Sequence, residues 1–291
     1  MNLRKIMTCA MILAGALVVA CGSDDGTTGT DTIVTDTVAG GFVGQLMDFA
    51  SKTGRKGVDL VVLNNDTGEP LDLATYPSFK SGDSGVFELP LPPGTKVGFV
   101  ASGKEDTTAG IPMKFQTTYM FNIPSDAQGK RIYAVNTLTY MTAPSTAGIV
   151  VDKTMGILAG TIYWNNPAGT EDFVGCALVK AIPVAGGDAV GDVRYFDPKN
   201  DLPGVESKAP FTTTGLMGTS RYIIGNLPVG KYKMIVTIDG VQVNTGDAEV
   251  QLHAYADSIA ISNIYVTSPT DATVNPTPAR AECVVDHVDQ G

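Results

Sequence analysis

The sequence predicts an all-β protein built as two tandem β-sandwich modules, and three observations predict it. One phrase occurs twice, as Val86-Phe-Glu-Leu-Pro-Leu-Pro-Pro-Gly94-Thr-Lys-Val-Gly-Phe-Val100 and as Arg221-Tyr-Ile-Ile-Gly-Asn-Leu-Pro-Val-Gly230-Lys-Tyr-Lys-Met-Ile-Val236. Each copy is an aromatic-led strand, a turn closed by Pro and Gly, and a second strand, so one supersecondary unit is built twice. The 33 Gly and 17 Pro suit a turn-rich β chain. Runs such as Val58-Asp-Leu-Val-Val-Leu63 carry the β-branched enrichment of core strands.

The N-terminus sets the expected location. Arg4 and Lys5 precede an apolar run from Ile6 to Ala20. That run is shorter than the roughly 20 residues of a membrane span and has the length of a signal-peptide core. It ends Leu17-Val-Val-Ala-Cys21-Gly22, which resembles a bacterial lipobox. The resemblance implies a signal peptide over 1–20, cleavage before Cys21, and lipidation of Cys21. Several acyl chains then anchor the protein to the bilayer, whereas one holds only marginally at about 0.8 kcal/mol per buried CH₂. The expected location is the bacterial cell envelope, at the outer membrane or cell surface rather than the inner membrane. Residues 21–38 are mostly Gly, Ser, Thr and Asp with little to bury, and read as a flexible tether. At roughly 5–6 Å × √n its reach is about 20–25 Å.

Loss of residues 1–20 would leave 18 Lys+Arg against 30 Asp+Glu, a net charge of −12. That sign argues against nucleic acid as a partner and against a polybasic hold on anionic lipid.

The first module is expected over 39–124. Gly41-Phe-Val-Gly-Gln-Leu-Met-Asp-Phe49 reads as its first strand, Val58–Leu63 as its core strand, and Lys96–Ser102 and Met113–Phe121 as its last strands. In the last of these, period two places Phe115, Tyr119 and Phe121 on one face. The order Gly-x-Val-Gly, apolar strand, Asp83-Ser-Gly-Val-Phe-Glu-Leu89, then Leu91-Pro-Pro-Gly94 resembles carboxypeptidase regulatory-like domains over about Gly41–Ser102. The resemblance implies a transthyretin-like, Ig-like sandwich and no catalytic residues. A fold alone does not imply function.

Residues 125–154 read as a connector with a short helix from Asn136 to Ala143, stopped by Pro144. The second module is expected over 155–267. Gly156–Trp164 parallels the first module's opening strand and Val174–Ile182 its core strand. An insertion from Ala185 to about Gly218 carries Asp188, Asp192, Asp197 and Asp201, the first candidate interaction surface. A Pro-containing tail occupies 268–291. With Cys9 in the signal and Cys21 lipidated, Cys176 and Cys283 remain. An oxidising compartment favours a Cys176–Cys283 disulfide over a buried thiol and an exposed one.

Catalytic chemistry finds little support. The two histidines, His253 and His287, lack metal-ligand spacing, and no Gly-x-Ser-x-Gly elbow occurs. His253 in Leu252-His-Ala-Tyr reads as an ordinary strand residue. Gly98-Phe-Val-Ala-Ser-Gly103-Lys104 has the glycine and lysine spacing of a phosphate loop, but Glu105 follows where a hydroxyl would hold Mg²⁺. No cofactor and no metal are expected, because Asp197-Pro-Lys-Asn200-Asp201 and Ser81-Gly-Asp83-Ser84 match no calcium pattern. The lone Trp164 could stack on a sugar, yet its period-two neighbours Ile162, Gly160 and Leu158 turn it inward, with Tyr163 and Thr161 opposite.

Two function classes follow. One is a non-catalytic, membrane-anchored envelope lipoprotein acting as spacer or protein-interaction scaffold, with an envelope protein as partner. The alternative is a carbohydrate-binding accessory, for which a glycan partner would require outward-facing aromatics.

Overall fold

The computed structural model describes residues 41–107, 111–165, 171–198, 202–204, 211–213, 219–238, 240–243 and 250–266. The signal segment, the tether with Cys21, Asp201 and the tail with Cys283 lie outside the described residues. The fold is all-β, with one α-helix among the described residues. No helix there is long and apolar enough to cross a membrane.

In the first half the strands are β1 (Phe42–Asp48), β2 (Asp59–Asn64), β3 (Phe79–Lys80), β4 (Val86–Leu89), β5 (Lys96–Lys104), β6 (Lys114–Pro124) and β7 (Lys130–Asn136), followed by α1 (Thr137–Thr146). The second half adds β8 (Gly156–Asn165), β9 (Glu171–Phe173), β10 (Ala177–Pro183), β11 (Asp192–Asp197), β12 (Leu202–Pro203) and β13 (Arg221–Leu227). It ends with β14 (Gly230–Ile238), β15 (Val241–Gln242), β16 (Val250–Ala254), β17 (Ser258–Ile261) and β18 (Ile264–Val266).

One central sheet runs β12-β11-β13-β8-β17-β6-β5-β2-β3 and so passes through both halves. The join is β17, parallel to β6 on one edge and to β8 on the other. Its four residues are all buried, as a strand covered on both faces requires. Side chains alternate between two cores. Ile259 and Ile261 enter the first core with Ile157, Ala159 and Ile223, while Ala260 enters the second with Leu158, Tyr222 and Ile224. The layer of β1, β4 and β7 covers the first core, and the four-stranded sheet β10-β14-β15 with β16 covers the second. The two halves therefore share a sheet.

The repeated phrase builds the same device both times. β4 pairs with β1, whereas β5 pairs with β2 and β6. Likewise β13 pairs with β8 and β11, whereas β14 pairs with β10 and β16. Each Pro-Gly turn carries the chain from one layer to the next instead of closing a hairpin. Proline suits that crossing because it donates no ladder bond.

Two expectations need revision. Residues 125–154 hold more than a connector: β7 pairs in parallel with β1 over five residues, and Ile132, Ala134 and Val135 are core. The helix also continues past Pro144 to Thr146. Pro144 lies in the last turn, where its ring removes one intrahelical bond and breaks nothing beyond. The three aromatics of β6 do not all share a face. A register shift against β5 between Phe115 and Thr118 sets Phe115 in the first core, while Tyr119 and Phe121 face the second.

Candidate functional site

Beside the central sheet, two of the places where the halves meet bring together polar and aromatic side chains. The first is a seam built on the turn after β2. Asn64 Oδ1 accepts from the backbone N–H of Asp66 at 2.9 Å and of Thr67 at 3.0 Å, which fixes the turn. Its outward carbonyls are then taken by the second half. Asp66 O accepts from Lys231 Nζ at 3.0 Å, and Gly68 O from Tyr255 Oη at 2.8 Å. His253 Nε2 lies 3.1 Å from Asp66 O, and a carbonyl can only accept, so Nε2 carries the proton. Gly68 sits at φ +73°, and a Cβ there would stand 2.1 Å from Tyr255 Oη. Tyr119 stacks on Tyr255 at 4.3 Å between centroids, and Phe121 meets His253 at 5.1 Å. Burial, then the Lys231 charge, lowers the His253 pKa. Burial pushes Tyr255 up to about 12.

The second meeting place is a crevice. Phe49, Lys52 and Tyr133 line it from the first half, and Thr161, Tyr163, Phe173, Arg221 and Asn263 from the second. Lys52, at φ +54°, holds Nζ 4.5 Å from the Phe49 ring centroid and 4.6 Å from that of Tyr133, within cation–π range. Tyr163 is directly opposite Phe173 on β9 and Tyr265 on β18, and stacks against them at 5.7 and 5.4 Å. Three neighbouring strands thus carry an aromatic ladder. The space of about 300 Å³ includes open solvent at the mouth, and the enclosed part has room for about one water molecule, so the crevice is shallow. Tyr163, at its centre, is buried.

The residues singled out from sequence disperse. Asp192 begins β11 and Asp197 ends it, between β12 and β13, while Asp188 sits on an exposed loop. Asp192 accepts from Asn226 Nδ2 at 3.0 Å. Asp201, Cys21 and Cys283 fall outside the described residues. Cys176 is buried and disulfide-bonded, and its partner also lies outside them. Trp164 is half-buried against the second core, its Nε1 enclosed without a hydrogen-bond acceptor. Gly98–Lys104 lies within β5. Among the described residues no three His, Cys, Asp or Glu side chains converge on a metal-sized site.

Sequence reasoning missed the crevice. Thr161 and Tyr163 were placed on the face opposite Trp164, which they occupy, but the pairing that lines up Phe173 and Tyr265 depends on strand order. No local spacing encodes that order.

No protein-family model matches the chain, and no curated protein matches it. Among solved structures it is similar to the minor pilin GBS52 of Streptococcus agalactiae, at 12% identity over 83% of this chain and 100% of that one, with a TM-score of 0.25. It is also similar to the shaft pilin SpaA of Lactobacillus rhamnosus GG, at 14% identity over 79% and 97% of the two chains, with a TM-score of 0.23. The Bacillus anthracis TIE protein aligns at 14% identity over 78% of this chain and 34% of its own, with a TM-score of 0.21. Likeness this distant leaves the functional reading to the chain's own residues.

Proposed function

We propose that the protein is a non-catalytic envelope lipoprotein, anchored through acylated Cys21, whose coupled β-halves form a rigid spacer and protein-interaction scaffold. The observation that carries this reading is the parallel insertion of β17 between β6 and β8. A strand shared by both halves resists bending between them, as a spacer requires. The tether would hold this body near the bilayer, and a Cys176–Cys283 bridge would fasten the tail to the second half.

Paired spin labels test the rigid coupling. Glu88→Cys and Val241→Cys place them at exposed positions, one in each half. The expected result is one narrow distance distribution, and a broad or multimodal one would sink the spacer. Anchoring is tested by Cys21→Ala, which should release the protein from the membrane fraction and abolish fatty-acid labelling. A wild-type N-terminus other than acylated Cys21 excludes the anchor.

The ladder of Phe173, Tyr163 and Tyr265 favours a glycan-binding accessory as the second reading. Burial of Tyr163 weighs against it, since a sugar must lie flat on an open ring. Polysaccharide binding insensitive to salt and lost on Phe173→Ala, with folding retained, would favour that reading.

A further inference from the structure

One sheet face takes part in neither core. Along β10 the residues Ala177, Val179 and Ala181 are buried in the second core, so Leu178, Lys180 and Ile182 point outward. Along β14, Tyr232, Met234 and Val236 are buried, so Lys231, Lys233 and Ile235 point outward on the same side. The antiparallel register sets Lys180 opposite Ile235 and Ile182 opposite Lys233. Lys180 therefore lies between two aliphatic side chains along β10, and lysine faces isoleucine twice across the pair.

The charge pattern departs from the rest of the molecule. The chain holds 30 Asp+Glu against 20 Lys+Arg, yet none of the four strands of this sheet contains a carboxylate. Outward aliphatics add to the contrast. Leu178 is 40% exposed, and Ile182 and Ile235 are half-buried on the same side. A water-facing sheet surface is ordinarily polar on its outer side, and contiguous exposed apolar area marks contact with something else.

We propose that this face is a docking surface for a second protein that presents an acidic, partly aliphatic patch. Charge complementarity points to the acidic character, because the strands of this face carry Lys180 and Lys233 and no carboxylate on an acidic molecule, while Lys231 at its edge is held by Asp66 O. The aliphatic half of the pattern points to protein, since Leu178, Ile182 and Ile235 need apolar atoms to cover them and a polyanionic polymer offers few. An anionic bilayer is a poorer match, because the net negative charge of the molecule opposes the headgroups around so small a lysine cluster. The inference rests on the scaffold reading and names the partner's chemistry. It also moves the interaction surface from the dispersed aspartates of β11 to the opposite layer of the same half.

The experiment uses the full-length, membrane-anchored chain in living cells. A photo-crosslinking residue replaces Leu178, and in a control it replaces Leu138, which is exposed on α1. Any protein captured from position 178 and not from 138 is identified and purified. Its affinity for the wild-type chain is then compared with that for Lys180→Glu and Leu178→Asp, both checked for an unchanged melt. The expected result is one protein whose Kd rises about tenfold or more with Lys180→Glu, and also rises with salt, as interfacial charge complementarity implies. The proposal is overturned if position 178 crosslinks only to lipid, to polysaccharide, to another copy of the chain or to nothing. A captured protein whose affinity ignores Lys180→Glu overturns it too. A partner captured from position 138 alone would overturn this assignment and leave the scaffold reading standing.

Discussion

Asn136 Nδ2 donates to Asp48 Oδ1 at 3.0 Å, while Asn136 Oδ1 accepts from the Thr139 backbone N–H at 2.8 Å. One amide side chain therefore caps α1 and ties it to the end of β1. Asp48 is 1% exposed, and its other oxygen accepts from Ser51 Oγ at 2.7 Å, with Arg55 Nη2 at 3.6 Å. Arg55 continues the chain of contacts to Glu105 at 3.1 Å. Asn136→Ala should lose the cap, about 1 kcal/mol, and leave a buried carboxylate oxygen one donor short, about 1–3 kcal/mol. The expected loss, read as a shift in denaturant midpoint at constant slope, is about 2–4 kcal/mol. A change within ~0.5 kcal/mol, the usual range at surface sites, would show that water replaces Asn136 at no cost.

That contact shows where the sequence was legible. Strand positions were, because β2, β5, β8 and β14 carry β-branched or alternating apolar residues. The Pro-Gly turns were also legible, since Gly94 at φ +77° needs what only glycine adopts freely. Pairing was not. Nothing in Ser258-Ile-Ala-Ile261 announces that it will bond strands more than 90 residues away in sequence. β7 falls in the segment expected as a connector, and only its partner β1 marks it as a core strand. The outward Lys and Ile of β14 were visible as alternation, but which face met water depended on the layer above.

Sharing of β17 predicts that the halves fail when separated. A fragment covering 41–154 lacks the strand that covers β6, and one covering 155–266 leaves β17 with one open edge. Each should show a non-cooperative melt or aggregate, because open edges and uncovered core invite pairing. Two cooperative melts by circular dichroism, one from each fragment, would contradict the shared sheet.

Gly160 tests the same junction with one methyl group. Its hypothetical Cβ would lie 1.8 Å from the carbonyl oxygen of Ser262, between β17 and β18. Backbone cannot yield as a flexible side chain can. Gly160→Ala should therefore push the C-terminal strands away from β8 and cost about 1–3 kcal/mol or more. Thermal melts check the size, and amide exchange at Ile259–Ile261 should accelerate. An unchanged melt would mean that the approach of β8 to Ser262 is looser than it stands.

Acid should weaken the seam through His253. Burial is the first cause of its lowered pKa and Lys231 the second, while the carbonyls of Asp66 and Asn65 and the Asp66 charge oppose them. The folded state thus favours neutral imidazole more than the unfolded chain does, whose value is about 6.5. Above that value the contribution is fully present. As pH falls through about 6.5 toward the lower folded pKa, the unfolded state binds the proton first and stability is lost. Carboxylates titrate lower still and act in both proteins alike, so the comparison is with His253→Gln, which keeps a side-chain donor for Asp66 O. Between pH 7.5 and 5.5 the wild type should lose more of its urea midpoint than His253→Gln does. Equal losses in the two proteins would mean that the His253 ring exchanges its buried contacts for water before it protonates, and would remove the seam from any account of pH sensitivity.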